Sequence, residues 1–183
     1  MLWITVPGCE FFDPQNNTFG RTKTTTLQLE HSLLSVSKWE EKWCKPFLGK
    51  TEKTVEQCID YVRCMTITQN VDPLVYQALT TANFDQINKY IEAPMTATWF
   101  SDTDKKNFGR EVVTAEVIYY WMIALQIPFE CQKWHLNKLL TLIRVCNIKN
   151  APPKNGKKVN QRALLSQRAA LNRARREQLH TTG

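Results

Sequence analysis

The sequence predicts a mainly α protein: a helical domain with a small N-terminal β-hairpin and a basic C-terminal helical arm. Three observations carry that reading. Period-two alternation is confined to the stretch before Ser32. From Ser37 to Val145, capping signatures and apolar residues at three- and four-residue spacing recur instead. Finally, the charge is segregated: residues 149–183 hold nine basic side chains and one acidic, net +8, whereas residues 1–148 are close to neutral at −1.

At the N-terminus, Leu2-Trp3-Ile4-Thr5-Val6 has strand composition, and Thr24 to His31 places Leu27 and Leu29 between polar residues, as a strand with one buried face does. Residues 2–7 and 24–31 therefore form the predicted β element, and Pro7-Gly8 and Asp13-Pro14-Gln15-Asn16-Asn17 between them are turn chemistry. Ser37-Lys38-Trp39-Glu40 reads as a capping box opening a helix with Trp39 and Trp43 on one face and its end before Pro46. Trp39 and Trp43 are expected to pack together, against the body or a second copy. Thr54-Val55-Glu56-Gln57 reads as a second capping box, followed by Val55, Ile59, Val62 and Met65 at helical spacing. Asp72-Pro73 is an N-cap with proline at the first helical position. Asn83 is read as the cap of a short helix carrying Phe84, Ile87 and Ile91, which Pro94 ends.

Two longer helices follow a polar loop at 101–109. Arg110 to Gln126 is apolar almost all round in its second half, which marks a helix that is buried or sits in an interface. Phe129 to Val145 follows the break at Ile127-Pro128, and the pair is expected to be antiparallel or sharply bent. Val117, Trp121, Leu136, Leu139, Leu140 and Ile143 are the expected core, with Tyr119 and Tyr120 joining Trp39 and Trp43 as interface candidates. Residues 1–149 thus form a globular domain. Residues 150–159, with two prolines, a glycine and a run of lysines, are a linker. Residues 160–183 form the arm, rich in Ala, Leu, Arg and Gln.

The 183 residues suit one domain with an appendage, and six Trp within 43% hydrophobic residues are enough for a sizeable core. No apolar run approaches the roughly 20 residues a membrane helix needs. The first residues lack the basic lead-in of a signal peptide, so a cytoplasmic protein is expected. The six cysteines contain no Cys-x-x-Cys pair and are expected to serve as small packing side chains. Cys131 and His135 are four apart, but a metal needs two further ligands. No cofactor is expected, and for His135 a hydrogen-bonded place in the core is the better reading. Phosphate loops, nucleophile elbows and zinc-protease signatures are missing, so the protein reads as a non-enzyme.

The arm is the candidate binding element, through Arg162, Leu164, Arg168, Leu171, Arg173, Arg175 and Arg176. Leu164 and Leu171, seven apart, make a narrow stripe that a protein groove accepts. The basic side chains also suit non-specific contact with DNA phosphates, or a solubilising tail, and the three readings stay open.

Several strings together resemble a family of small proteins from tailed bacteriophages. They are Leu27-Gln28-Leu29-Glu30-His31-Ser32-Leu33, Ser37-Lys38-Trp39-Glu40, Lys45-Pro46-Phe47-Leu48, Met95-Thr96-Ala97-Thr98-Trp99-Phe100, Ile118-Tyr119-Tyr120-Trp121-Met122, the run from Ile127 to Leu140, and Leu171-Asn172-Arg173-Ala174-Arg175-Arg176. The resemblance spans nearly the whole chain. It implies a product of the tail module, near the tape-measure gene, with a tail-assembly-chaperone-like role. The implied partners are tape-measure or tail subunits, met in the host cytoplasm during assembly, with self-association as a further expectation. The alternative is a component retained in the virion, at the head–tail connector, tail or capsid, whose arm contacts neighbouring subunits or packaged DNA.

Overall fold

The computed structural model describes residues 1–13, 18–49, 52–98, 100, 112–151, 165–166, 168–170 and 173, with backbone alone at 11–13 and 18. The chain is mainly α with an N-terminal antiparallel β element. Strand β1 (Leu2–Val6) pairs with β4 (Thr25–Leu29), Leu2 opposite Leu29 and Ile4 opposite Leu27. Alternation sorts the faces: Ile4, Val6, Leu27 and Leu29 are buried, while Trp3 and Thr5 face outward.

The connection holds more than turns. Strands β2 (Glu10–Asp13) and β3 (Thr18–Arg21) form a second antiparallel ladder. Gly8 sits where this ribbon leaves the first sheet. A Cβ there would lie 2.5 Å from the Thr22 carbonyl oxygen, so the close approach requires glycine. The far edge of β4 is covered by the segment after α2. Ile67 N–H donates to the Gln28 carbonyl at 2.8 Å and Glu30 N–H to that of Met65 at 2.9 Å.

Helix α1 runs Leu33–Trp43. It starts one turn earlier than the Ser37 capping box predicts, because Ser32 is the cap. Ser35 N–H donates to Ser32 Oγ at 3.3 Å, and Ser32 N–H donates back to Ser35 Oγ at 3.0 Å. Ser37 lies inside the helix, and Glu40, its expected partner, is turned into the core. The helix ends at Cys44, whose φ of 49° is left-handed.

Helix α2 (Val55–Met65) begins at the Thr54/Gln57 box as predicted, although Val55 is exposed and the buried stripe is carried by Tyr61, Val62 and Met65. The Asp72-Pro73 signal opens a 3₁₀ turn, Pro73–Ala78, rather than an α-helix. Helix α3 (Thr81–Glu92) is capped by Thr80, and Asn83 is its reciprocal partner three residues on, not the cap.

Helix α4 is Ala115–Ala124, shorter than the expected Arg110–Gln126; Arg110 itself lies outside the described residues. Phe129 to Val145 is not one helix. A 3₁₀ turn, Phe129–Lys133, precedes α5 (Leu136–Asn150). Helix α4 packs chiefly against α1 rather than pairing with α5, and α1 also lies against α2. The inward residues of α4 are Ala115, Ile118 and Met122; Val117 and Trp121 are half-buried. Helix α5 places Leu136, Leu139 and Ile143 in the core as expected, with Leu140 at its margin.

By internal contacts the chain divides into two compact units, Met1–Lys149 and Asn150–Gly183. The buried hydrophobic cluster, from Ile4 to Ile143, belongs wholly to the first. In the second, the described residues Leu165, Ser166, Arg168, Ala169, Ala170 and Arg173 are helical and exposed.

Candidate functional site

Trp39 is 1% exposed. Its Nε1–H donates to the Gln57 carbonyl at 2.9 Å, and its ring meets Phe47 edge-on at 5.2 Å between centroids. It is a core residue, not surface available to a partner, held against α2 and the following loop by these contacts. Trp43 does pack on it, at 6.2 Å, but lies half-buried and donates to Asp60 Oδ2 at 2.9 Å. Asp60 also holds the Lys42 ammonium. Both tryptophans thus fasten α1 to α2.

Tyr119 and Tyr120 are placed differently. The Tyr119 hydroxyl donates to Gln132 Oε1 at 2.9 Å, and its ring lies 6.4 Å from that of Phe129. Burial raises the pKa of its phenol, so the ring acts as a neutral, half-buried strut. Tyr120 is 67% exposed and Ile123, one turn on, 63%. Phe129, reached from Tyr119, is 52% exposed. A nearly all-apolar helix sitting on α1 can bury only one side, and the other stays in water. This outward face of α4, extended through Phe129, is a candidate protein-binding surface. Ile123 and Phe129 are not singled out by the sequence; the all-round apolarity of α4 is the signal available for Ile123, while Phe129 opens a separate 3₁₀ turn.

Of the arm residues, Arg168 and Arg173 are helical and exposed, while Arg162, Leu164, Leu171, Arg175 and Arg176 lie outside the described residues. Leu165, beside the predicted stripe, is 64% exposed.

The interior holds the titratable groups. Glu40 is buried, and its two carboxylate oxygens accept from the Phe47 and Ala115 backbone N–H groups, each at 2.7 Å. One side chain thereby ties α1 to the following loop and to the first residue of α4. His31 and His135 meet edge to face with ring centroids 5.1 Å apart. The Tyr61 hydroxyl lies 2.5 Å from His31 Nδ1, and burial raises its pKa. His135 has the hydrogen-bonded core place expected of it, with Nε2 at 3.0 Å from the Tyr90 carbonyl. The Tyr90 hydroxyl donates to Glu30 Oε1 at 2.7 Å, and the Met1 amine pairs with Glu30 Oε2 at 3.0 Å.

Among the described residues, no buried side-chain nitrogen or oxygen lacks a partner. Burial raises the Cys64 and Cys131 thiols, which opposes thiolate formation. All six cysteines are free, and Cys44 is exposed, unlike the packing role expected of it. No group of three or more His, Cys, Asp or Glu side chains converges on a metal position among the described residues. The polar interior is therefore saturated by its own contacts among the described residues, and exposed apolar side chains, those of the α4 face with Trp3, Phe19 and Val55 among them, are surface features left over. Comparison with protein-family models, with curated proteins and with solved structures finds no match.

Proposed function

We propose that the protein is a non-enzymatic morphogenesis factor of tailed bacteriophages that assists tail assembly by binding tape-measure or tail subunits. The exposed Tyr120–Ile123 face of α4, next to Phe129, is the observation that carries this reading. Exposed aromatic and aliphatic side chains grouped on one rigid helix are the chemistry of a protein-docking patch. The Glu40 bonds hold the first residue of that helix, so the patch is presented in a fixed orientation. The exposed arm residues Arg168 and Arg173 add positive charge suited to an acidic protein surface or to phosphates.

The test pairs two measurements. Mass spectrometry of purified, DNA-filled virions should find the protein absent, and a knockout should accumulate tail-less particles. Stoichiometric presence in virions would replace this reading with the structural-component one. Tyr120→Asp with Ile123→Asp should leave the thermal midpoint of the chain nearly unchanged, since both side chains already sit in water. The same variant should abolish capture of tail subunits. Undiminished capture would remove the α4 face from the proposal.

A further inference from the structure

We propose that His135 and His31 form an acid-sensitive latch, in which a neutral His135 caps helix α5 and its protonation unfastens the start of that helix from α3 and from the end of β4. His135 stands at the N-cap of α5: its carbonyl accepts the Leu139 N–H at 3.1 Å. Its ring uses both nitrogens. Nδ1 lies 3.3 Å from the Asn137 backbone nitrogen, which must donate, and Nε2 lies 3.0 Å from the Tyr90 carbonyl, which must accept. Only the neutral Nε2–H tautomer satisfies both. A proton on Nδ1 would set one N–H against another and add positive charge at the positive end of a helix.

The neighbouring ring makes the second proton harder still. The Ser35 hydroxyl donates to the Ser32 carbonyl at 2.7 Å, and the Tyr61 oxygen is 3.4 Å from Ser35 Oγ. The Tyr61 oxygen lies 2.5 Å from His31 Nδ1, much closer than to Ser35 Oγ, so Tyr61 and His31 share the shorter hydrogen bond. The groups facing the pair are Tyr61 from α2, Tyr90 from α3, Glu30 at the end of β4 and the Met1 amine. Glu30 favours a charged His135, but its oxygens are already engaged by Tyr90 and Met1. Burial lowers His135, and burial together with the charge of His135 lowers His31 to about 3. The fastening itself is direct. The His31 carbonyl accepts the Leu136 N–H at 2.7 Å, and Ser32 and His135 form an isolated antiparallel bridge.

The sign follows from linkage. A histidine whose folded pKa lies below its unfolded value binds fewer protons when folded. The stability it contributes is complete above the unfolded pKa, near 6.5, and falls as the pH drops below it, by up to about tenfold in the folding equilibrium per pH unit for each such group. The experiment uses the full chain. Ring nitrogen shifts by NMR should show His135 as the neutral Nε2–H tautomer at pH 7. As the imidazoles charge on acidification, the Leu136 and Asn137 amides should move. Reversible titration of His135 near pH 6.5 with those amides unmoved would overturn the latch. In denaturant unfolding, the equilibrium constant of the unaltered chain should rise at least about tenfold more between pH 7 and 5 than that of H31N/H135N, since asparagine in place of His135 keeps a cap acceptor at every pH. Parallel profiles would overturn it too. Should the double variant not fold, the NMR measurement on the unaltered chain decides alone.

Discussion

Glu40 shows what one residue does for this fold. Its carboxylate is all acceptor, and the two groups it meets, the Phe47 and Ala115 N–H, are both donors. Glutamine has the same shape but replaces one oxygen with an NH₂ that faces a donor. Glu40→Gln should therefore leave one buried N–H unpaired and cost about 2 kcal/mol, measured as a fall in the urea midpoint at constant slope. A loss below about 0.5 kcal/mol would mean that the two N–H groups find water instead. This role is hidden in the sequence, where Glu40 looks like the acid of a capping box. Phe47 is seven residues away and Ala115 seventy-five, and only the packed chain joins them. His31 and His135 are a similar case. His135 reads as a bonded core residue because too few further metal ligands accompany it and Cys131, but its partners, the Tyr90 carbonyl and the His31 ring, are supplied by other elements.

At the scale of elements, legibility followed how closely the local chemistry matched a known template. Thr54-x-x-Gln57 fits the capping box, and α2 starts there. Ser32-x-x-Ser35 closes the same reciprocal pair with a hydroxyl in place of the acid or amide, so the better-fitting string at Ser37 drew the helix start one turn late. Strands β2 and β3 have four residues each and, among the described residues, pair only with one another, which leaves little alternation to detect. The one-residue rotation of α4, with Ile118 and Met122 inward instead of Val117 and Trp121, reflects a helix apolar on every side: its periodicity names no face, and α1 chooses it. These helix starts are separable by experiment. Ser32→Ala should cost about 1 kcal/mol, as loss of a working cap does, whereas Ser37→Ala, inside the helix, should cost less than about 0.5 kcal/mol or stabilise slightly. Chemical denaturation of the two variants side by side decides it, and equal losses would contradict the observed start of α1.

For the whole molecule, the segregation of charge and the segregation of core coincide. The buried cluster runs from Ile4 to Ile143, entirely inside the Met1–Lys149 unit, and residues 1–151 carry sixteen basic and sixteen acidic side chains. A chain ended after Ala151 would thus keep every core residue among the described residues and lose essentially all of the net charge. It should unfold cooperatively with a thermal midpoint within about 3 °C of the full chain, because no apolar burial within the first unit is removed. A drop of about 10 °C, or loss of cooperativity, would show that the arm completes the core. Binding separates the open readings of the arm. If phosphates are its target, the full chain should hold DNA with an affinity that falls steeply as salt rises, and the shortened chain should not bind. If a protein groove is the target, tail-subunit capture by the full chain should survive moderate salt and weaken on shortening, because apolar side chains such as Leu165 supply part of the attachment. A shortened chain that captures tail subunits at full strength would leave the α4 face as the binding surface and the arm as a solubilising tail.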